Sequence, residues 1–359
     1  MFLFILVYSV VFLFAIRNFS YSKLYYIALI PVFIVTMVPS AIQYNVGTDY
    51  FSYIEIFETG KELNTYLAKG EFVFPIIVYT TKLLGASAQS VFIIVSIFNG
   101  LFFIFLLSQL KKMKFELWIY VLVFMCCTGV YHNQLNGLRQ YMAVYALPLL
   151  TIFFARKQYL RSASTVMYSM FCHASSVLVF PVIYLSRILA KYNIGTVFFL
   201  IFILSAVVYG FIIPPLTVEI VAKTFPMYSK YLFEDRLQEG TLLSLLTKLY
   251  YVPIFLLFYY LCYRKAIIIR TTSEIALVGV FSLSFWLILL AYEISIFGRV
   301  SQYFSIFYSF PIYYLLNHYY KKKRFYIFIF WLVYLLIPYI LKVTLLAKNE
   351  YLYQWIVNN

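Results

Sequence analysis

Residues 132–142 read HNQLNGLRQYM, an amide-rich turn that interrupts a long apolar run and is followed at once by another. Two apolar runs joined by such a short polar turn are typical of neighbouring helices in a membrane. The turn leads into Arg139, and an arginine at the rim of a membrane helix is costly unless an anion or water receives it. The group that binds the Arg139 side chain is therefore a direct clue to the function of this chain.

The composition beyond this turn is that of a polytopic membrane protein. Of 359 residues, 64% are hydrophobic and 11% are charged, and apolar segments of near membrane-spanning length recur from end to end. Backbone amides in lipid must bond within the chain, and these segments are unbroken rather than alternating, so they favour helices over a barrel. We expect an all-α protein with about 11–13 transmembrane or re-entrant helices, in a single membrane domain over residues 1–359.

The distribution of charge predicts which connections lie on each side of the membrane. The first apolar run, Phe2 to Ile16, is interpreted as a retained helix with its N-terminus outside. On that topology 17 of the 28 basic residues fall in inner connections, and 11 of the 13 acidic residues fall outside. The net charge of +15 then reflects the positive-inside rule rather than nucleic-acid binding. Two long polar loops, about 43–70 and 214–240, are expected outside.

Two apolar segments are not interpreted as one ordinary membrane-spanning helix each. The first, Phe72 to Leu84, is short for a span and is expected to be re-entrant or to lie in the outer interface. The second, Ser162 to Ser186, is either one span or two short tilted helices that meet near His173. The pair is preferred because it keeps Arg187 and Lys191 inside.

Motifs of soluble enzymes are absent from the chain. There is no Walker glycine loop, dinucleotide fingerprint, GxSxG elbow or HExxH helix. The four cysteines lie in apolar segments without ligand spacing, so they are expected to pack in the interior rather than hold a metal. Any chemistry is therefore expected from polar residues on the outer face.

Two arginines dominate that face. Arg139 in GLRQYM and Arg299 in GRVSQYF each stand where an outer turn is expected to become a helix. A guanidinium pairs bidentately with phosphate oxygens, and a helix N-terminus adds backbone donors. The pattern therefore favours a lipid-linked diphosphate as ligand. The alternative is that each arginine pairs with lipid headgroups or with a carboxylate such as Glu293.

Four stretches, in this order, resemble the EpsG family, which is grouped with the Wzy-type polymerases of bacterial surface polysaccharides. They are YNVGTDYFSYIEIF at 44–57, NGLRQYMAVYAL at 136–147, FCHASSVLVFPVIYL at 171–185 and GRVSQYF at 298–304. The resemblance implies a GT-C-like, metal-independent membrane glycosyltransferase without a cofactor. Such enzymes join oligosaccharide repeat units carried on undecaprenyl diphosphate, at the outer face of the bacterial cytoplasmic membrane. The partners it implies are the lipid-linked oligosaccharide, membrane lipid and a chain-length regulator protein, with no nucleic acid.

The resemblance carries roles to individual residues. The matched positions are Asp49 in the G-x-D segment, Arg139 in the RQ pair, His173 in the H-x-S segment and Arg299 in the late arginine motif. Gln43 and Tyr44 stand where relatives often have an arginine, so the resemblance does not carry phosphate binding to this loop.

The reaction that the resemblance implies also suits these residues chemically. The leaving diphosphate accumulates negative charge, which Arg139 and Arg299 are expected to stabilise, with Gln140 beside the first of them. An acceptor hydroxyl must lose a proton as it attacks, and Asp49 and His173 compete for the role of base.

Other polar and aromatic residues of the outer face have lesser expected roles. Residues proposed for glycan contact are Tyr50, Tyr53, Arg236, Glu293 and Gln302. His132 is interpreted as a solvated side chain of the interface, and Glu234, Asp235 and Arg236 as a charged surface cluster.

Three other classes of membrane protein remain as alternatives. A flippase or transporter of lipid-linked oligosaccharide usually has charges and broken helices near mid-membrane, whereas these candidates lie at the outer ends of segments. An O-antigen ligase shares the donor and the topology, and only the motif resemblance favours a polymerase over it. A membrane acyltransferase is the third class.

Overall fold

The chain is built from helices. The computed structural model describes residues 1–18, 27–214, 238–294, 296–347 and 349–354, and in these ranges it contains no extended strand. Six helices are long and apolar enough to cross a membrane, and five shorter apolar helices accompany them in the same ranges. The prediction of an all-α polytopic membrane protein is confirmed.

The helices divide between two compact units, each described by itself. Unit 1 comprises Met1–Leu150, Leu160–Val177 and the chain from Phe325 onward, and unit 2 comprises Thr151–Tyr159 and Leu178–Arg324. The helices of unit 1 are α1 (Phe2–Ala15), α2 (Ile30–Ala41), α3 (Tyr50–Thr59), α4 (Leu63–Ala68), α5 (Val73–Leu83), α6 (Gln89–Lys112), α7 (Leu117–Cys127), α8 (Val130–Asn133), most of α9 (Leu138–Ala155) and α10 (Tyr159–Cys172), with α19 (Phe325–Val343) near the C-terminus. Those of unit 2 are α11 (Val179–Leu189), α12 (Phe199–Val207), α13 (Gln238–Leu249), α14 (Val252–Tyr263), α15 (Thr272–Ser284), α16 (Leu287–Glu293), α17 (Ile296–Phe304) and α18 (Ser309–Lys321).

Unit 1 is centred on α7, whose eleven residues are all buried. A helix that is apolar on every side is typical of the core of a bundle, and here α1 and α19 pack against it. Helix α6, at 24 residues, is long enough for about 36 Å and packs against α2. Lys111 Nζ at its end donates to the carbonyl of Arg17 at 2.9 Å, so the end of α6 meets the segment that follows α1.

The first polar loop, about 43–70, is more ordered than the sequence suggests. It contains α3 and α4, separated by Gly60 in the left-handed region at φ +73°. Helix α5 follows with 11 residues, about 16 Å of helix, which agrees with the prediction that this segment is too short to span.

Two helix breaks bring polar groups to the ends of helices in unit 1. The apolar run from Phe115 to Tyr131 is not one continuous helix: α7 ends at Cys127, because Gly129 at φ +74° leaves the helical region. The predicted break at His173 is confirmed, since α10 ends at Cys172 and a 3-10 turn over Ala174–Leu178 leads into α11.

Unit 2 has α15 at its centre, packed against α11 and α12. The start of α15 is fixed by a capping box between Thr271 and Glu274, and the Tyr314 hydroxyl donates to Glu274 Oε1 at 3.0 Å. The last long apolar run of this unit is interrupted by a 3-10 turn over Ser305–Tyr308. The Ser305 and Ser309 hydroxyls there donate to carbonyls three residues back, an alternative to regular helix bonding.

Some predictions fall on other parts of the chain. Most of the second polar loop, with its cluster of Glu234, Asp235 and Arg236, lies outside the described residues. Helix α13 already begins at Gln238, before the expected end of that loop at about residue 240.

Candidate functional site

Arg139 lies in the first turn of α9, at the end of the amide-rich turn. Its Nη1 donates to Glu71 Oε2 at 2.5 Å, and its Cζ lies 3.7 Å from the centroid of the Tyr66 ring. The side chain is 19% exposed. Its Nε is buried and makes no hydrogen bond within the described chain. The guanidinium is thus held on one side by a carboxylate and on one face by an aromatic ring, and it retains a charged donor that the described protein does not satisfy.

Glu71 is the residue that meets Arg139, and the sequence analysis does not single it out. It stands just before α5 and is 3% exposed. Besides the bond to Arg139, its Oε1 accepts from the Ala174 amide at 3.0 Å and lies 3.8 Å from His173 Nδ1. Of the two alternatives raised for Arg139, pairing with a carboxylate is therefore observed, but the carboxylate is Glu71 rather than Glu293.

His173 occupies the break between α10 and the 3-10 turn. Its Nδ1 lies 2.9 Å from the Ser175 hydroxyl oxygen and faces Glu71. The side chain is 20% exposed. The structure thus joins His173 and Arg139 to one buried carboxylate.

Asp49 immediately precedes α3 and is held by the amide-rich turn. The Asn136 Oδ1 accepts from the Asp49 amide at 2.9 Å and from the Thr48 hydroxyl at 3.3 Å. Gly47, at φ +77°, lies so close that a Cβ there would stand 2.5 Å from Asn136 Oδ1. Only glycine fits this approach, and the contact sets Asp49 against the turn that leads to Arg139.

Tyr50 and Tyr53, proposed for glycan contact, are both buried. Tyr50 packs on Phe92, and Tyr53 packs on Phe74 and lies near Arg139. Burial raises the pKa of Tyr53 although Arg139 acts to lower it, so the phenol remains neutral. Neither ring has an open face for a sugar in this structure. Gln140 is buried as well.

The remaining predicted site residues belong to unit 2 or lie outside the description. Arg299 is exposed and is the fourth residue of α17. The expectation that it stands at a helix start is wrong by one turn, because the helix already begins at Ile296. Glu293, exposed, ends α16, and Gln302 is half-buried on α17. Arg236 lies outside the described residues, so its role stays a prediction.

His132 corrects the sequence interpretation. It was expected to be solvated, but it is fully buried between Phe2, Tyr339 and Tyr351, with ring centroids 4.4–5.5 Å away. Neither ring nitrogen has a hydrogen-bond partner in the described chain. The C-terminal segment, which covers this histidine, is the reason: Tyr353 Oη donates to the carbonyl of Pro39 at 2.7 Å.

Glu71, Tyr66 and Asn136 are the residues that sequence reasoning missed. One signal was present for Glu71: only 13 acidic residues occur in the chain, and this one directly precedes an apolar helix, where a carboxylate needs a partner. Tyr66 and Asn136 had no comparable signal, because tyrosine is abundant and asparagine is common in turns.

The described part of unit 1 therefore contains a coherent polar site. It combines a tethered guanidinium with an unsatisfied donor, an imidazole beside a carboxylate, and an exposed aspartate on a braced loop. Such a set suits an anion together with a hydroxyl that loses a proton. The four cysteines are buried, which agrees with their predicted packing role.

Comparison with known proteins places the chain in a family. No curated protein and no solved structure matches it. The profile of the EpsG family, a Wzy-like polymerase family, matches residues 25–356, which is nearly the whole chain and includes every member of the site in unit 1. The chain therefore belongs to the EpsG family.

Proposed function

We propose that this protein is a membrane glycosyltransferase that polymerises oligosaccharide repeat units carried on undecaprenyl diphosphate. The transfer takes place at the outer face of the bacterial cytoplasmic membrane. The bond between the anomeric carbon of the growing glycan and its diphosphate oxygen breaks, and a bond from that carbon to a hydroxyl of the next unit forms. The lipid diphosphate leaves, and the hydroxyl proton passes to a base on the protein.

The observation that carries this proposal is that the buried Nε of Arg139 has no hydrogen-bond partner in the described chain. A buried guanidinium donor without a partner is costly, and an anion that arrives at this position relieves the cost. Because Glu71 and Tyr66 already orient the group, it needs little rearrangement to receive a diphosphate oxygen. Preorganised donors of this kind stabilise charge that develops on the leaving group.

Two groups in the same unit are suited to accept the proton. Asp49 carries a carboxylate on the loop that Asn136 braces, and His173 carries an imidazole beside Glu71. Either can accept the proton of a sugar hydroxyl if it lies within hydrogen-bond reach of it in the bound complex. Membership of the EpsG family supports polysaccharide polymerisation, and the lipid diphosphate donor and the arginine role extend that statement.

The test is deletion of the gene followed by sizing of the surface glycan on a gel. Loss of the ladder with a single capped unit remaining supports a polymerase. Loss of all capping would instead indicate a ligase, and lipid-linked units retained on the inner face would indicate a flippase.

Variants of the arginines refine this test. Arg139→Ala should leave single repeat units on the lipid carrier, and Arg139→Lys should rescue poorly because an ammonium lacks the planar fork. Arg299→Ala tests the predicted role of the arginine in unit 2 separately. Arg270→Ala, which removes an exposed guanidinium from a connection predicted to lie inside, is the matched control and should keep the normal ladder. Long chains in the Arg139→Ala strain at normal protein abundance would refute the assignment.

A further inference from the structure

Glu71 connects two separate parts of the candidate site. Its Oε2 is bonded to Arg139, 68 residues along the chain, and its Oε1 is bonded to the amide of Ala174, 103 residues along. Both oxygens are thereby committed, and the side chain is 4% exposed. A carboxylate so buried and so fully bonded is rigid, and it holds the start of α9 and the break after α10 in one geometry.

The Glu71 carboxylate also lies beside the imidazole ring of His173. Nδ1 lies 2.9 Å from the Ser175 hydroxyl oxygen and 3.8 Å from Glu71 Oε1. The carboxylate favours a proton on Nδ1, and the Ser175 hydroxyl can accept from that proton. A neutral imidazole protonated on Nδ1 has its lone pair on Nε2. The other titratable neighbours of this region on α10 are Cys172, which interacts electrostatically with Glu71, and Tyr168, which lies close to Cys172.

We propose that Glu71 is a positioning residue that orients the Arg139 guanidinium for the leaving anion and sets the His173 ring to act as the base. This inference rests on the proposed polymerase function and chooses His173 over Asp49 for proton transfer. The hydroxyl of the acceptor sugar gives its proton to Nε2 while its oxygen bonds to the anomeric carbon. The negative charge of Glu71 stabilises the imidazolium that forms, as a carboxylate behind a catalytic histidine does.

The informative variant is Glu71→Gln. It keeps an oxygen acceptor for the Ala174 amide and nearly the same volume, but it removes the negative charge. Without that charge the imidazole is less basic, so the acid limb of the activity profile should move to lower pH and the maximum should fall about 10- to 100-fold. Glu71→Asp keeps the charge on a side chain shorter by one methylene. The Glu71→Asp variant should keep the acid limb at the wild-type pH but form less polymerised glycan.

The measurement is chain-length distribution in a deletion strain that carries each variant, over a range of external pH and normalised to the amount of protein in the membrane. Glu55→Gln is the matched control, since Glu55 is an exposed carboxylate of the neighbouring helix α3 and pairs with Lys61. It should show the wild-type ladder at every pH.

Each outcome decides a different question. An acid limb that moves in Glu71→Gln but stays in place in Glu71→Asp supports the inference. The inference is overturned if the Glu71→Gln variant keeps the wild-type acid limb or the wild-type maximum of activity. If the Glu71→Gln protein is lost from the membrane, an acid limb that is displaced in Glu71→Asp overturns it instead. If gene deletion itself leaves the ladder intact, the polymerase proposal fails, whatever Glu71 does.

Discussion

The guanidinium of Arg139 lies over the ring of Tyr66, with 3.7 Å between Cζ and the ring centroid. Tyr66 belongs to the short helix α4, and its hydroxyl donates to Glu62. The ring is buried, so the cation meets an aromatic face away from water, where such contacts are strongest. Helix α4, in a segment that the sequence predicts to be a polar loop, thus supplies one wall of the candidate site.

This stacking predicts different effects for two substitutions of Tyr66. Tyr66→Phe keeps the ring face and should keep near-normal chain length. Tyr66→Leu removes the face and should cost about 1–2 kcal/mol of the contact, with shorter glycan chains as a result. Gel sizing at matched protein abundance measures the difference, and equal ladders in the two strains would contradict a role for the ring.

The brace between Asn136 and the loop before α3 predicts a second effect. Asn136→Ala removes the acceptor for the Asp49 amide and should lower stability by about 0.5–1.5 kcal/mol, since water can reach this exposed bond. Gly47→Ala should be as harmful, because its Cβ would overlap Asn136 Oδ1. Unfolding in detergent, followed by tryptophan fluorescence, measures the stability, and Gly70→Ala is a control.

Gly70→Ala is a suitable control for Gly47→Ala because the two glycines share a backbone conformation but differ in their surroundings. Gly70 also has positive φ, at +80°, but a Cβ there meets nothing within 4 Å. It therefore shows the backbone cost of alanine in the left-handed region without a clash. Losses of equal size at the two glycines would show that the contact with Asn136 contributes nothing.

His132 predicts a pH dependence of stability. Burial, with a smaller contribution from Lys342, lowers its pKa to about 3, whereas an unfolded histidine titrates near about 6.5. The folded protein therefore binds fewer protons than the unfolded chain in this interval. Its stability is fully present above about pH 6.5 and declines as the pH falls toward about 3.

The variant His132→Phe should remove that decline. Phenylalanine fits the aromatic surroundings of Phe2 and Tyr351 and leaves no buried nitrogen without a partner. Melting temperatures of wild type and variant across this pH interval measure the effect. A variant as acid-sensitive as the wild type would show that other groups control the decline.

The contacts of the C-terminal segment predict a fourth effect. Tyr353 Oη bonds to the carbonyl of Pro39, and the carbonyl of Gln354 accepts from the Tyr44 amide at 3.0 Å, close to the loop that leads to Asp49. A stop codon after Ala347 removes these contacts and should shorten the glycan chains. Tyr353→Phe loses one hydrogen bond and should have a small effect, about 1 kcal/mol on stability. Full-length glycan from the truncated protein would show that the segment is dispensable.

The sequence by itself determined that this protein lies in a lipid bilayer and is therefore all-α. Unbroken apolar segments allow only helices in lipid, and this was predictable because backbone hydrogen bonding in a bilayer leaves no other choice for such segments. The segment from Phe72 to Leu84 was predictably short from its residue count, and the break at His173 followed from the positive-inside rule, which keeps Arg187 and Lys191 inside. The resemblance of four ordered motifs to the EpsG family was also visible in the residues alone.

The tertiary structure alone decided which groups meet. Glu71 bonds to residues 68 and 103 positions away, and no local pattern specifies such a pairing, because only the tertiary fold brings the residues before α5, at the start of α9 and after α10 together. Burial of His132 by the C-terminal segment is of the same kind. The question raised by Arg139 thus has a physical answer: in a low-dielectric interior a guanidinium requires a carboxylate, and the fold supplies Glu71.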